Sequence, residues 1–315
     1  MMKRVLTTSV VAGLLGTLGV APVVAAEGTL YGSVRSGIVV HDTDNADAVW
    51  DLGAVDGATD HMSNDKLWSR IGVRASHELD GGVMAGLHIE KRLDNFRTRH
   101  QNVWIGGGFG RLTFGQQGSP YHSAVAWDGT NFTGGEFSMA RGSRKAGVSY
   151  ASSLGGPFDF KAMITDDNSY SGGGGYGEGV DGFELSGSLS MGVVNINAGV
   201  ANFDGAFGSG GAMVDEMLVG ASVGGSLGAI GWEVGFENRD PEDGEDTDRA
   251  GFFVDYDIGD GAPYFYIEDQ SGAYENRSWV VGYGHSLGSG VRVVAEHRDI
   301  EDDATRSIVA LVVGF

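Results

Sequence analysis

The 315-residue chain has no cysteine, only 5 prolines, and 21 basic residues against 42 acidic ones. Without cysteine there is no disulfide framework, no zinc-thiolate site and no thiol nucleophile. A net charge of −21 argues against nucleic acid as a partner, because the phosphate backbone is held by cations. Beyond the first two dozen residues no run is long and apolar enough for a spanning helix. Membrane residence would therefore require a closed barrel. So little proline beside 55 glycines excludes a disordered or collagen-like chain. The glycine suits tight turns and a wall whose small residues leave interior room.

Met1-Met2-Lys3-Arg4 precede an apolar run from Val5 to Val24. Val24-Ala25-Ala26 then places small residues at −3 and −1 before Glu27. A positive start, an apolar middle and a small-residue site describe a secretory signal peptide rather than a transmembrane helix. The chain thus divides into a cleaved leader, 1–26, and a mature domain, 27–315. Loss of Lys3 and Arg4 takes the net charge from −21 to −23. An exported chain of this length without disulfides needs another means of cohesion, and a closed ladder of backbone hydrogen bonds supplies one.

What is present is alternation. At the end of the chain Val309, Leu311, Val313 and Phe315 share one strand face, while Arg306, Ile308, Ala310 and Val312 share the other. Sixteen such segments are predicted: 28–40, 65–79, 83–93, 98–107, 111–117, 143–152, 157–166, 181–190, 193–202, 216–227, 230–239, 249–258, 262–270, 277–287, 291–299 and 305–315. Fourteen or eighteen strands fit the same spacing. Connections alternate between short glycine-bearing turns, such as Asp80-Gly81-Gly82, and longer polar loops at 41–64, 118–142, 167–180, 203–215, 240–248, 271–276 and 300–304. This is the asymmetry of an outer-membrane barrel.

Parity separates the faces. Leu67, Ile71, Val73 and Ala75 oppose Lys66, Trp68, Arg70, Arg74, Ser76 and Glu78. Ile230, Trp232, Val234 and Phe236 oppose Glu233 and Glu237. A charged face turned to lipid costs several kcal/mol, about 2–4 at the midplane, so the ionic face must look inward. A soluble sandwich also alternates. The turn rhythm and the aromatics Tyr31, Trp68, Trp104, Phe183, Trp232, Tyr256, Tyr264, Trp279, Tyr283 and Phe315 favour the barrel, where such rings are expected in interfacial girdles.

Several stretches resemble the general diffusion porins of Gram-negative outer membranes. Gly28-Thr29-Leu30-Tyr31-Gly32 resembles their first strand, and Ser69-Arg70-Ile71-Gly72-Val73 with Glu78-Leu79-Asp80-Gly81-Gly82 their second strand and turn. Arg99 to Gly110 and Arg111-Leu112-Thr113-Phe114-Gly115 resemble the fourth and fifth strands. Ser119-Pro120-Tyr121 is similar to the start of the third loop, and Gly147-Val148-Ser149-Tyr150 to the strand after it. Terminal Phe315 completes the set. The match covers most of 28–152 and the C-terminus; between about 167 and 300 only architecture corresponds.

The resemblance implies an all-β, sixteen-stranded transmembrane barrel whose third loop folds inward. It implies a homotrimer in the outer membrane, in contact with lipid and lipopolysaccharide, with Phe315 read by the barrel-assembly machinery. It implies passage of small hydrophilic solutes and no cofactor. Arg70 and Arg99 match two of the family's wall arginines and Arg144 a third, after the loop. Parity adds Arg35 and Arg74. Asp128 and Glu136 are the only carboxylates between Ser119 and Arg144 and are the expected acidic side of the constriction. Ser33 stands where some members carry lysine, and Gln116 where arginine is frequent. Glu90 is expected to relieve repulsion among the arginines. Inner-face Glu184, Glu233, Glu237, Asp255, Glu268 and Glu296, with the acidic loops, point to weak cation selectivity.

Other signals are set aside. Gly172–Gly175 with Gly177 lacks the strand and helix a phosphate loop needs. Asp42, Asp44 and Asp47 lack the glycine and closing glutamate of a calcium loop. The 8 histidines show no metal-ligand spacing. His285 and Ser286 lie at a periplasmic strand end without a triad, so no enzyme is expected. The competing readings are a substrate-specific channel and a structural or adhesive barrel with a closed lumen.

Overall fold

The computed structural model describes residues 27–43, 46–53, 69–93, 96–125, 127–128, 136–137, 144–152, 156–166, 182–207, 213–242, 244–272, 275–301 and 304–315. The predicted leader, Trp68 and the whole of loop 167–180, with its glycine run at 172–177, lie outside these residues.

Sixteen strands form the barrel wall. They are β1 (Glu27–Thr43), β2 (Arg70–Glu78), β3 (Met84–Arg92), β4 (Thr98–Gly107), β5 (Gly110–Gly118), β6 (Arg144–Ala151), β7 (Phe158–Asp166) and β8 (Gly182–Met191). The second half holds β9 (Val194–Phe207), β10 (Met213–Leu227), β11 (Ile230–Pro241), β12 (Thr247–Tyr256), β13 (Gly261–Gly272), β14 (Asn276–Gly288), β15 (Val291–Ile300) and β16 (Ala304–Gly314). Every strand pairs antiparallel with its successor, and β1 pairs with β16 from Ser33↔Gly314 to Thr43↔Ala304. At the seam Gly32 and Phe315 exchange both backbone hydrogen bonds, at 3.0 and 3.1 Å. The sheet is therefore closed, which removes the unpaired edges that lipid could not satisfy.

Strand count agrees with the expected sixteen, and every predicted segment overlaps a barrel strand. Two predicted loops hold regular structure: 118–142, with a helix and a short ladder, and 41–64. Within the predicted outer loop 41–64, Ala46–Gly53 is a strand paired with the upper half of β1, from Gly37↔Gly53 to Thr43↔Ala46. Its sequence explains this, because Ala48, Trp50 and Leu52 alternate with Asp47, Val49 and Asp51.

The short turns follow glycine chemistry. Between β2 and β3, Gly81 and Gly82 adopt φ of 76° and 75°, a region other residues enter only with strain. The faces follow parity. Val34, Ile89, Val103, Leu185, Val234, Phe236 and Leu311 are exposed on the outside, whereas Glu90, Glu184, Glu237 and Glu296 are buried on the inner register. Outward aliphatics of this number would be a large apolar surface in water; in acyl chains they are matched.

The aromatic expectation needs correction. Phe183, Tyr256, Tyr283 and Phe315 are exposed on the outer face. Tyr31, Trp104 and Tyr264 instead sit on the inner register. Each inward ring lies over a glycine of a neighbouring strand. A Cβ on Gly72, Gly86 or Gly282 would come within 2.4, 2.5 and 2.1 Å of Tyr31, Trp104 and Tyr264. Glycine thus keeps these rings against the wall and out of the lumen.

Candidate functional site

The inner face of β1–β4 is a basic wall. Register aligns Thr29, Arg74, His88 and Asn102 in one row, and Tyr31, Gly72, Glu90 and His100 in the next. Ser33, Arg70 and Arg92 form a third. Arg99 would point outward in a regular ladder. The pairing instead steps from Glu90↔His100 to Lys91↔Thr98, leaving Arg99 as the extra residue of a bulge. A bulge re-aims a side chain. Here it brings the Arg99 Nε to 2.6 Å from Glu90 Oε1. The bulged strand is held by Gln116, whose amide donates to the Thr98 carbonyl at 3.0 Å.

Glu90, 3% exposed, is the centre of this wall. It accepts from Arg99, it accepts from the Tyr31 hydroxyl at 2.7 Å, and Arg70 Nη1 stands 3.8 Å away. A buried carboxylate with several donors is satisfied; without them it would be costly. Arg74 lies over the Tyr31 ring at 4.6 Å and donates to His88 at 3.4 Å. His88 stacks on His100 with centroids 4.3 Å apart. The structure therefore brings Arg70 and Arg99 to Glu90 and sets Arg74 one row away, against Tyr31 and His88. Arg35 is half-buried on the same inner face but belongs to the seam, where it pairs with Val312.

The third loop starts inside the barrel. Helix α1 (Pro120–Val125) follows β5, with Ser119 as its cap: the His122 N–H donates to Ser119 Oγ at 3.0 Å. Proline at the first helical position fits, since its missing N–H is not needed there. Ser119 Oγ and the Tyr121 N–H both donate to Glu184, at 2.5 and 3.0 Å, and the Tyr121 hydroxyl donates to Glu237 at 2.7 Å. Burial first, then the Glu237 charge, pushes the Tyr121 hydroxyl far above its ordinary pKa and keeps it a donor. Gly199 and Gly220 form the floor beneath the helix. A Cβ at Gly220 would meet Val125 at 2.5 Å. Tyr121 and Val125 are fully buried with Ala201, Phe203 and Leu218. The helix is seated on β8–β11, about halfway round the wall from the basic cluster.

Farther along the loop, Trp127–Asp128 pairs with Glu136–Phe137, so Asp128 and Glu136 are direct ladder partners. Their side chains lie outside the described residues, as does that of Arg144, whose backbone pairs with Gly118. The neighbouring Lys145 is inward and 3% exposed, with its ammonium 3.4 Å from the Phe203 ring centroid. Sequence reasoning missed Lys145, as it missed Arg111, which lies over Trp104 at 4.1 Å. Parity applied to β5 and β6 would have found both.

The inner acids of the second half are mostly engaged. Glu216 pairs with Arg239 at 2.7 Å and Glu268 with Arg298 at 3.0 Å, while Glu296 accepts from Tyr264. Among the described residues no cluster of His, Asp or Glu is arranged to hold a metal ion.

The family profile described as Gram-negative porin matches residues 7–305. The chain is a Gram-negative porin. Among solved structures, an anion-selective porin from Comamonas acidovorans is similar at 17% identity, covering 92% of this chain and 100% of that one with TM-score 0.72. OmpF of Salmonella typhi, in complex with daunomycin, is 12% identical over 91% and 97% with TM-score 0.68. The trimer form of in-vitro folded OmpT from Vibrio cholerae is 15% identical over 92% and 100% with TM-score 0.64. No curated protein matches the sequence. Family and fold make this porin an outer-membrane channel rather than an enzyme.

Proposed function

We propose that this porin is a passive, weakly cation-selective channel for small hydrophilic solutes and ions. The supporting observation is the pairing of a basic wall around Glu90 with an inward helix seated across the lumen. Such an arrangement narrows the bore and sets a transverse field that favours polar solutes over apolar ones. Cation preference comes from the acidic outer loops, since the inner glutamates are largely neutralised by arginine or held by tyrosine. Asp128 and Glu136 complete the acidic side, and Arg35 and Arg144 extend the basic side.

The mature porin, 27–315 after removal of the leader, assembles as a homotrimer in this reading. The trimer form of the Vibrio cholerae OmpT structure supports that state. Its surroundings are outer-membrane lipid and lipopolysaccharide, and the barrel-assembly machinery reads Phe315. The competing reading is a substrate-specific channel. Planar-bilayer recording with a graded series of uncharged sugars separates them. Ohmic steps in threes with a smooth size cut-off support the passive channel. Block by one sugar alone supports the specific channel, and silence would refute both.

A further inference from the structure

Along the periplasmic half of the basic wall, between β1 and β5, lies a pocket of about 620 Å³ that opens to the lumen, lined by Arg74, His88, His100, Trp104, Arg111 and Thr113 among others. That volume suits a small-molecule site. Arg74 and Arg111 are exposed to it, and among the described residues neither forms an ion pair with a carboxylate. Each guanidinium is oriented by an aromatic ring instead, Arg74 by Tyr31 and Arg111 by Trp104. The Arg74 Nε donates to His88, and the Nη groups of both arginines remain open to a carboxylate. Gly86 lets Trp104 lie beneath Arg111, because a Cβ there would come within 2.5 Å of the indole.

The two arginines flank the pocket from β2 and β5, three strand spacings apart across the sheet and four residues apart in register, about 20 Å at the backbone. Two long side chains can close that gap onto one multiply charged solute. The stacked His88–His100 pair lies between them. Glu27 is the only carboxylate among the lining residues. We propose that this cavity is a subsite for small organic anions carrying two or more carboxylates, one gripped by each arginine. It adjoins the Arg70–Glu90–Arg99 cluster through Tyr31, which lies under Arg74 and donates to Glu90, and it rests on the reading of the barrel as an open channel. A basic subsite behind an acidic mouth would retain polycarboxylates that reach it, while simple salts pass.

The test is single-channel recording of the purified porin in KCl with citrate added on the periplasmic side, and acetate at matched ionic strength. Citrate should block saturably and acetate should not. Arg74→Gln and Arg111→Gln should each weaken the block about tenfold, the value of one charged hydrogen-bonded contact. Arg292→Gln, an inward arginine outside the cavity, should leave the block intact. Block equal for citrate and acetate overturns the subsite, as does block unchanged in both cavity variants or weakened equally by Arg292→Gln. Loss in only one cavity variant overturns the two-ended grip. The KCl conductance in the same records tests the channel reading separately.

Discussion

Glu90→Gln isolates the charge at the centre of the basic wall while keeping nearly the same volume. Glu90 serves Arg99 at 2.6 Å, Tyr31 at 2.7 Å and Arg70 at 3.8 Å. With two arginines and one carboxylate the trio carries one net positive charge; the substitution makes it two. Breaking a buried ion pair by removing one partner costs about 3–5 kcal/mol. Arg70 is 34% exposed to lumen water, so its share is screened and the lower end, about 3 kcal/mol, applies. The expected result is a reversal potential shifted toward chloride in a KCl gradient, together with a lower urea midpoint in detergent. A variant with wild-type reversal potential and wild-type midpoint would refute the assignment of Glu90 to the ring.

Arg70→Ala and Arg99→Ala act with the opposite sign: both should raise conductance and cation preference, read as larger steps and a potassium-shifted reversal potential. Tyr121→Phe removes the donor to Glu237 and should lower thermal stability in detergent by about 1.5–3 kcal/mol, as for a hydrogen bond to a charged group. Gly220→Leu should push α1 from its seat, because its added atoms collide with Val125; noisier open-channel current is the readout, and unaltered noise would count against the seating. Phe315→Ala should leave a purified, folded barrel close to wild-type stability, since the ring is 59% exposed on the outer face. The same change should reduce the heat-modifiable folded species recovered from outer membranes.

The wall was legible because its rule is local. Two-residue alternation gives side and strand without knowledge of partners, so the inward positions of Arg70, Arg74 and Glu90 followed from counting. The Arg99 side chain was assigned inward by kinship while parity pointed it outward. A one-residue bulge reconciles the two, and bulges leave little mark in composition. Trp104 and Tyr264 were misplaced for a different reason. A ring near a strand end reads as a girdle residue, and its glycine partner sits on another strand, at a register that a single segment does not reveal. The seat of α1 was hidden likewise. Glu184, Glu237, Gly199 and Gly220 come from four strands, and only closure of the sheet sets them beneath Tyr121.

Closure also orders events in time. The seam joins β1, the earliest strand to be made, to β16, the latest, with Gly32 and Phe315 as its final stitch. No nascent fragment can zip this cylinder shut, however long it waits. Synthesis and export must finish before the fold can, and the unfinished polypeptide travels with its oily rows unsheltered. Such a product depends on escorts that keep it dispersed until both ends arrive at the same membrane.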